Sequence, residues 1–185
     1  MLELYPSPAH SYQFTAEVRD DETSATGQAG IYFGHSMQMT DRGEEHCFST
    51  LTFSDNPEIV LPDGTRRLAA QLRVWRCRPS GDYTAYRNIT AFLIPPESPA
   101  AAPRLWHSLA AEVRPDGVTV AWDGQVRSIK RAELLEAFET VKHTPPAPQD
   151  DAPELHPQFD PDGGIGLCLV KAQASFRRVD LKRLP

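Results

Sequence analysis

Acid–base chemistry on a glycosidic bond needs two carboxylates flanking that bond, at a separation that suits an acid and a nucleophile. The nearest approach in this chain is "EVRDDE", where Glu17, Asp20 and Asp21 have the wrong parity and run into a turn signal. That stretch reads as a strand end followed by a solvated acidic loop. The sequence has no Gly-x-Ser-x-Gly elbow, no His-Glu-x-x-His and no phosphate-cradling glycine loop. Its six histidines are scattered. His46 adjoins Cys47, but neighbours on a strand point to opposite faces and cannot chelate one ion together. His107, beside Trp106, reads as a half-buried structural residue. "DPDGG", with Asp160 and Asp162, matches the first part of a calcium loop but lacks the later bidentate glutamate, so it reads as a turn. No catalytic residue, metal ligand or cofactor is assigned, and calcium has no support beyond that fragment.

One spacing points to recognition instead. In "RLAAQLRVWRC", Leu68, Ala70, Leu72 and Val74 alternate with Gln71, Arg73 and Trp75, which sets an indole among polar neighbours on the face away from the core. An aromatic ring offers an apolar platform, and Arg, Gln and Glu side chains beside it can hydrogen-bond a ligand. Glu17 and Arg19 occupy the polar side of "SYQFTAEVRD", and Tyr32 lies opposite Ile31 and Phe33 in "AGIYFGH". These are expected to share the Trp75 face on neighbouring strands. The candidate ligand-binding set is therefore Glu17, Arg19, Tyr32, Gln71, Arg73 and Trp75. The plainer alternative is a merely solvated face, or Trp75 packed beneath a proline-rich loop.

Such a set needs a rigid sheet to hold it, and period-two alternation recurs along the chain. Tyr12, Phe14, Ala16 and Val18 share one face of the first clear strand. "EEHCFSTLTFSD" and "RLAAQLRVWRC" read as two further strands, separated by "NP" and "PDG". Pro115-Asp116-Gly117 and Asp123-Gly124 then close two hairpins around a strand ending in Trp122, giving a three-stranded meander with the tryptophan in the core. "RAELLEAFETV" spaces Leu134, Leu135, Phe138 and Val141 as an amphipathic helix. Proline-rich stretches near 95–103 and 143–162 read as surface loops. "GGIGLCLVKAQASFRRVDLKRL" supplies two closing strands around a Lys-Ala-Gln turn. The pattern predicts one domain over 1–185: an all-β, two-sheet antiparallel sandwich with one short accessory helix.

Composition narrows the partners. A formal charge of −6 argues against nucleic acid, and the one basic cluster, "SFRRVDLKRL", reads as a solvated strand face. No apolar run approaches the roughly 18 residues of a membrane helix, and residues 1–25 show no signal-peptide pattern. The start reads as mid-protein sequence behind a methionine, as in a domain tethered within a larger chain. Cys47, Cys77 and Cys168 lie in or beside apolar strands without close spacing, which predicts reduced structural thiols and a cytoplasmic setting.

Three blocks carry a resemblance. "YQFTAEVRDDETSATGQAGIYFGHS" is similar to the early strands of concanavalin A-like lectin/glucanase jelly rolls. "LWHSLAAEVRPDGVTVAWDGQ" resembles their recurrent hairpin, and "GGIGLCLVKAQASFRRVDLKRL" their closing strands. The similarity lies nearest the branch with laminin-G-like and keto-disaccharide hydrolase-like domains, and extends to modules appended to bacterial serine/threonine kinases. It implies a jelly roll that recognises a carbohydrate or a protein surface across one sheet. It also implies two rivals: a sugar-active hydrolase-like enzyme, and a purely structural or oligomerisation domain. The paired-carboxylate motif of the glucanases, Glu-x-Asp-x-x-Glu, is missing here.

Overall fold

The computed structural model describes residues 1–6, 10–21, 27–40, 43–60, 66–79, 84–93, 106–142 and 159–185. The loop expected near 95–103, and the one near 143–162 up to residue 158, lie outside the described residues. The described residues form eleven strands and one helix, in chain order. They are β1 (Leu2–Tyr5), β2 (Tyr12–Asp20), β3 (Gln28–Thr40), β4 (Gly43–Val60), β5 (Arg66–Cys77), β6 (Thr84–Leu93), β7 (His107–Arg114), β8 (Gly117–Trp122), β9 (Gln125–Lys130), α1 (Arg131–Lys142), β10 (Gly164–Val170) and β11 (Ala174–Arg183). All pairings are antiparallel and form two sheets. One has six strands in the order β1-β10-β3-β4-β5-β6, and the other five in the order β11-β2-β7-β8-β9. The expected two-sheet sandwich is thus the architecture of the chain.

Alternation builds the core. Along β2 the residues Tyr12, Phe14, Ala16 and Val18 are buried, with half-buried residues between them. Ile31, Phe33, Leu51, Phe53, Leu72, Val74 and Phe92 face them from the six-stranded sheet. Each large apolar side chain removed from water contributes about 1.5–3 kcal/mol, so this interface is the main stabilising feature. Leu134, Phe138 and Val141 of α1 join the same core, where the helix packs against β5, β6, β8 and β9. Glu133 accepts a hydrogen bond from the Lys130 amide at 3.3 Å, half of a capping box at the helix start. No helix among the described residues is long and apolar enough to cross a membrane.

The second hairpin of the meander explains why Asp-Gly follows Trp122. Asp123 and Gly124 both have positive φ, 44° and 81°, as a two-residue hairpin turn with strand-matched twist requires. Asp123 then uses both carboxylate oxygens: Oδ1 accepts the Ser108 amide at 2.8 Å, and Oδ2 lies 2.7 Å from His107 Nδ1. His107 is fully buried rather than half-buried, because its ring packs against both Phe53 and Trp122, each at 4.5 Å, in a cluster of three mutually contacting rings.

Several expectations are corrected. Asn56-Pro57 does not end β4; the strand runs to Val60, with its pairing to β5 shifted between Ser54 and Ile59. Proline is tolerated where ladder pairing is interrupted. The closing strands do not pair: β10 joins the six-stranded sheet and β11 the other, so Lys171–Gln173 crosses between layers. β1 and β6 lack clean alternation and were not anticipated. "DPDGG" does begin with a turn: Asp160 Oδ1 accepts the Asp162 amide at 2.9 Å and the Asp160 carbonyl accepts the Gly163 amide at 3.1 Å.

Candidate functional site

The outer face of the six-stranded sheet is ordered in cross-strand rows. Register places Tyr32, Thr50, Arg73 and Asn88 side by side across β3, β4, β5 and β6. Phe48, Trp75 and Tyr86 form the next row. Thr52 and Gln71 stand on the other side of Arg73. Of the six candidate residues, the structure therefore brings together Tyr32, Gln71, Arg73 and Trp75.

Glu17 and Arg19 are not with them. Strand β2 lies in the five-stranded sheet between β11 and β7, so its polar side faces outward from the opposite layer. There Glu17 accepts from Arg177 Nε and Arg178 Nη1, both at 2.5 Å. Those two guanidiniums, Arg177 foremost, hold the Glu17 carboxyl below its usual range. Arg19 bonds Asp21 at 2.8 Å and lies over the Trp106 ring. The expected sharing of one face fails because period two fixes which side of a strand a residue occupies, not which sheet the strand joins.

Aromatic rings organise what remains. Phe48 and Trp75 stack with centroids 6.3 Å apart and Tyr86 tilts against Trp75 at 4.9 Å. The Trp75 indole N–H donates to Thr50 Oγ1 at 2.8 Å, which fixes the ring plane. Arg73 donates through Nε to Asn88 Oδ1 at 2.7 Å and through Nη2 to Gln71 Oε1. Its guanidinium also lies 5.0 Å from the Tyr86 centroid and 5.9 Å from that of Trp75. Cation–π contact of this kind holds an arginine with little freedom. Arg73 is only 3% exposed, whereas Tyr86 is 54% exposed. Beside them opens a cavity of about 550 Å³ lined by Gln71, Arg73, Tyr86, Asn88, Ile89, Thr90 and Ala91. The accessible part of the site is therefore its β6 side.

Tyr86 and Asn88 were missed because "TAYRNITAFL" breaks parity. The β5–β6 register shifts between Leu72 and Arg73, so Ile89 is an extra residue that returns Asn88 and Tyr86 to the outer face. The aromatic at Tyr86 was the one available signal.

Tyr32 marks the other side of the site, buried at the β10 boundary. Burial, with the Glu3 charge adding to it, pushes its hydroxyl well above the ordinary range and keeps it protonated. Its ring rests over Gly166, where an added Cβ would overlap the Leu2 carbonyl and meet Tyr32 Cε1 at 2.8 Å. Gly166→Ala is expected to cost about 2 kcal/mol and to displace both Tyr32 and β1. Denaturant titration checks the first, and the near-ultraviolet tyrosine signal checks the second.

None of the three cysteine thiols is activated as a nucleophile. Burial pushes Cys47 up to about 12, Cys168 up to about 11, and Cys77 upward as well, so the thiols stay protonated. All three cysteines are free. Among the described residues, no group of three or more His, Cys, Asp or Glu side chains is placed to hold a metal ion.

Two antiparallel sheets in this strand order, one with an aromatic and polar outer face, form a jelly-roll β-sandwich. The chain is similar in fold to a solved structure. The carbohydrate-binding module CBM66 from Bacillus subtilis superposes with a TM-score of 0.50 at 10% identity, covering 94% of this chain and 76% of that one. Sheep galectin-11, in complex with glycerol, gives 0.44 at 7% identity over 97% and 96% of the two chains. The family 7 alginate lyase A1-II′ gives 0.46 at 9% identity over 98% and 65%. No protein-family model matches the sequence, and no curated protein matches it.

Proposed function

We propose that this protein is a non-catalytic carbohydrate-recognition module, acting beside other domains of a larger protein, whose ligand lies on the outer face of the six-stranded sheet. The observation that carries the reading is the aromatic row Phe48–Trp75–Tyr86, ending in a half-exposed Tyr86 at the rim of a cavity floored by Gln71, Arg73 and Asn88. A phenol ring there presents an apolar platform for the C–H face of a sugar. The amides of Gln71 and Asn88, braced by Arg73, offer paired donors and acceptors that suit neighbouring hydroxyls. An enzyme of the sugar-hydrolysing kind would need two carboxyl groups converging on the cavity. Its described lining contains none.

The test is a glycan array followed by calorimetry with the best-bound sugar. Tyr86→Ala is expected to weaken binding at least about tenfold, as truncating an aromatic anchor does. Because Tyr86 is half exposed, the variant folds as the wild type does. Trp75→Ala, which removes the ring beneath Tyr86, is expected to lose binding to the same or greater degree. Unchanged array profiles for both folded variants would refute the reading.

A further inference from the structure

A chain of four titratable side chains runs along one end of the same sheet. Glu3 Oε2 lies 3.0 Å from His35 Nδ1. His35 Nε2 lies 2.7 Å from His46 Nδ1, and His46 Nε2 lies 3.1 Å from Glu44 Oε1. The two imidazoles are nearly parallel, 7° apart, and both are largely shielded from solvent. The groups are strung in a line rather than converging on a point, an arrangement that holds protons and not a metal ion.

Counting protons gives the consequence. Each of the three contacts needs one proton between its two heavy atoms. Two neutral imidazoles carry only two, and ionised carboxylates carry none. A neutral pair must therefore set two lone pairs face to face at 2.7 Å, or aim an imidazole lone pair at a carboxylate oxygen. One additional proton completes all three contacts and is flanked by a negative charge at each end.

We propose that His35 and His46 share one extra proton, and that this protonated pair is a clasp fastening β1 to the sheet. The clasp spans the layer from edge to interior. Glu3 belongs to β1, which among the described residues is an edge strand paired with β10 alone and whose residues are all exposed. Its carboxylate reaches His35 across Gly164, where an added Cβ would overlap Glu3 Oε2. The groups facing the pair are Glu3 from β1, Tyr32 from β3, Glu44 from β4 and Cys77 from β5, which is in register with His46. Asp160 and Asp162 lie in the turn that meets Gly34 and His35. The carboxylates favour the extra proton, and protonated Tyr32 and Cys77 do not oppose it. The closed state binds more protons than the open one, so the clasp is closed at acidic pH and opens as pH rises. His35 also packs edge-on against Tyr32 and Phe48, at 6.0 and 6.2 Å, so opening disturbs one end of the aromatic row. The proposal stands independently of what the row binds.

The test is amide hydrogen exchange of Leu2–Tyr5, corrected for intrinsic rates, between about pH 5.5 and pH 8, the range in which imidazoles titrate. In the wild type, protection of β1 is expected to fall about tenfold across that interval, while protection of β8 stays constant. Glu44→Gln separates this from a merely structural contact. A glutamine amide can donate to His46 Nε2, which lets His46 Nδ1 donate to His35 and completes the chain with neutral imidazoles. Glu44→Gln should therefore keep β1 protected at pH 8. A wild-type protection that ignores pH, or a Glu44→Gln response equal to that of the wild type, overturns the proposal. Glu44 is solvent-facing, so folding of the variant is not at stake.

Discussion

Trp122→Ala is expected to lower stability by about 3–5 kcal/mol, the range for losing a fully buried large aromatic. Trp122 closes β8 with no exposed surface, stacks on His107 at 4.5 Å and 19°, and on Phe53 at 5.0 Å and 29°. Its indole N–H has no hydrogen-bond partner among the described residues, so the loss is one of packing. Truncation leaves a cavity beside His107, whose ring then loses its stacking partner while Asp123 still holds Nδ1. Trp122→Phe keeps a ring in that space and is expected to recover more than half of the loss. Urea titration at constant m-value is the measurement. A loss below about 1 kcal/mol for the alanine variant would mean that this stack does not organise the core.

That stack also shows how far the residues alone could be read. Asp123-Gly124 and Pro115-Asp116-Gly117 announced the β7–β8–β9 meander and its buried tryptophan, because turn chemistry and alternation are local. The helix over Arg131–Lys142 was legible for the same reason, and so was the Gln71–Arg73–Trp75 face of β5. What escaped is non-local. Strand β2 alternates as cleanly as β5, yet its hydrogen-bonding partners are β11 and β7, so Glu17 and Arg19 ended on the far layer. Irregularities hid the rest. Gly34, at φ 64°, sits where the β3–β4 register shifts between Phe33 and Ser36, and brings His35 beside Tyr32 despite the three-residue spacing. The extra residue at Ile89 does the same for Asn88 and Tyr86. The residues that make the candidate site more than a strand of alternating polarity were those placed by bulges, whose positions depend on the partner strand.

Glu45→Gln is the second substitution with a large expected effect, and its signature is pH dependence. Glu45 is buried on β4, where its Oε2 accepts from Arg76 Nε at 2.7 Å and its Oε1 accepts from Arg78 Nε and Nη2 at 3.1 and 3.0 Å. Burial by itself raises the Glu45 pKa, but the hydrogen bonds from Arg76 and Arg78 together outweigh it and hold the carboxyl below its usual range. A glutamine keeps the shape and leaves two guanidiniums facing a neutral amide, which costs about 3 kcal/mol when a buried ion pair is broken this way. The direction with pH follows from linkage. A carboxyl whose folded pKa lies below its unfolded value contributes fully above the unfolded value, about 4.3 for glutamate, and loses that contribution as pH falls through the folded value. The gap in stability between wild type and Glu45→Gln should therefore be constant from about pH 7 to pH 5 and close as acid protonates Glu45. Glu17, also depressed but solvent-facing with Arg177 and Arg178, should add little to that slope, since water and salt screen exposed pairs. Urea midpoints at pH 7, 5, 4 and 3 decide it: curves for wild type and Glu45→Gln that stay parallel into acid would remove Glu45 as the group that ties β4 to β5 at this end of the sandwich.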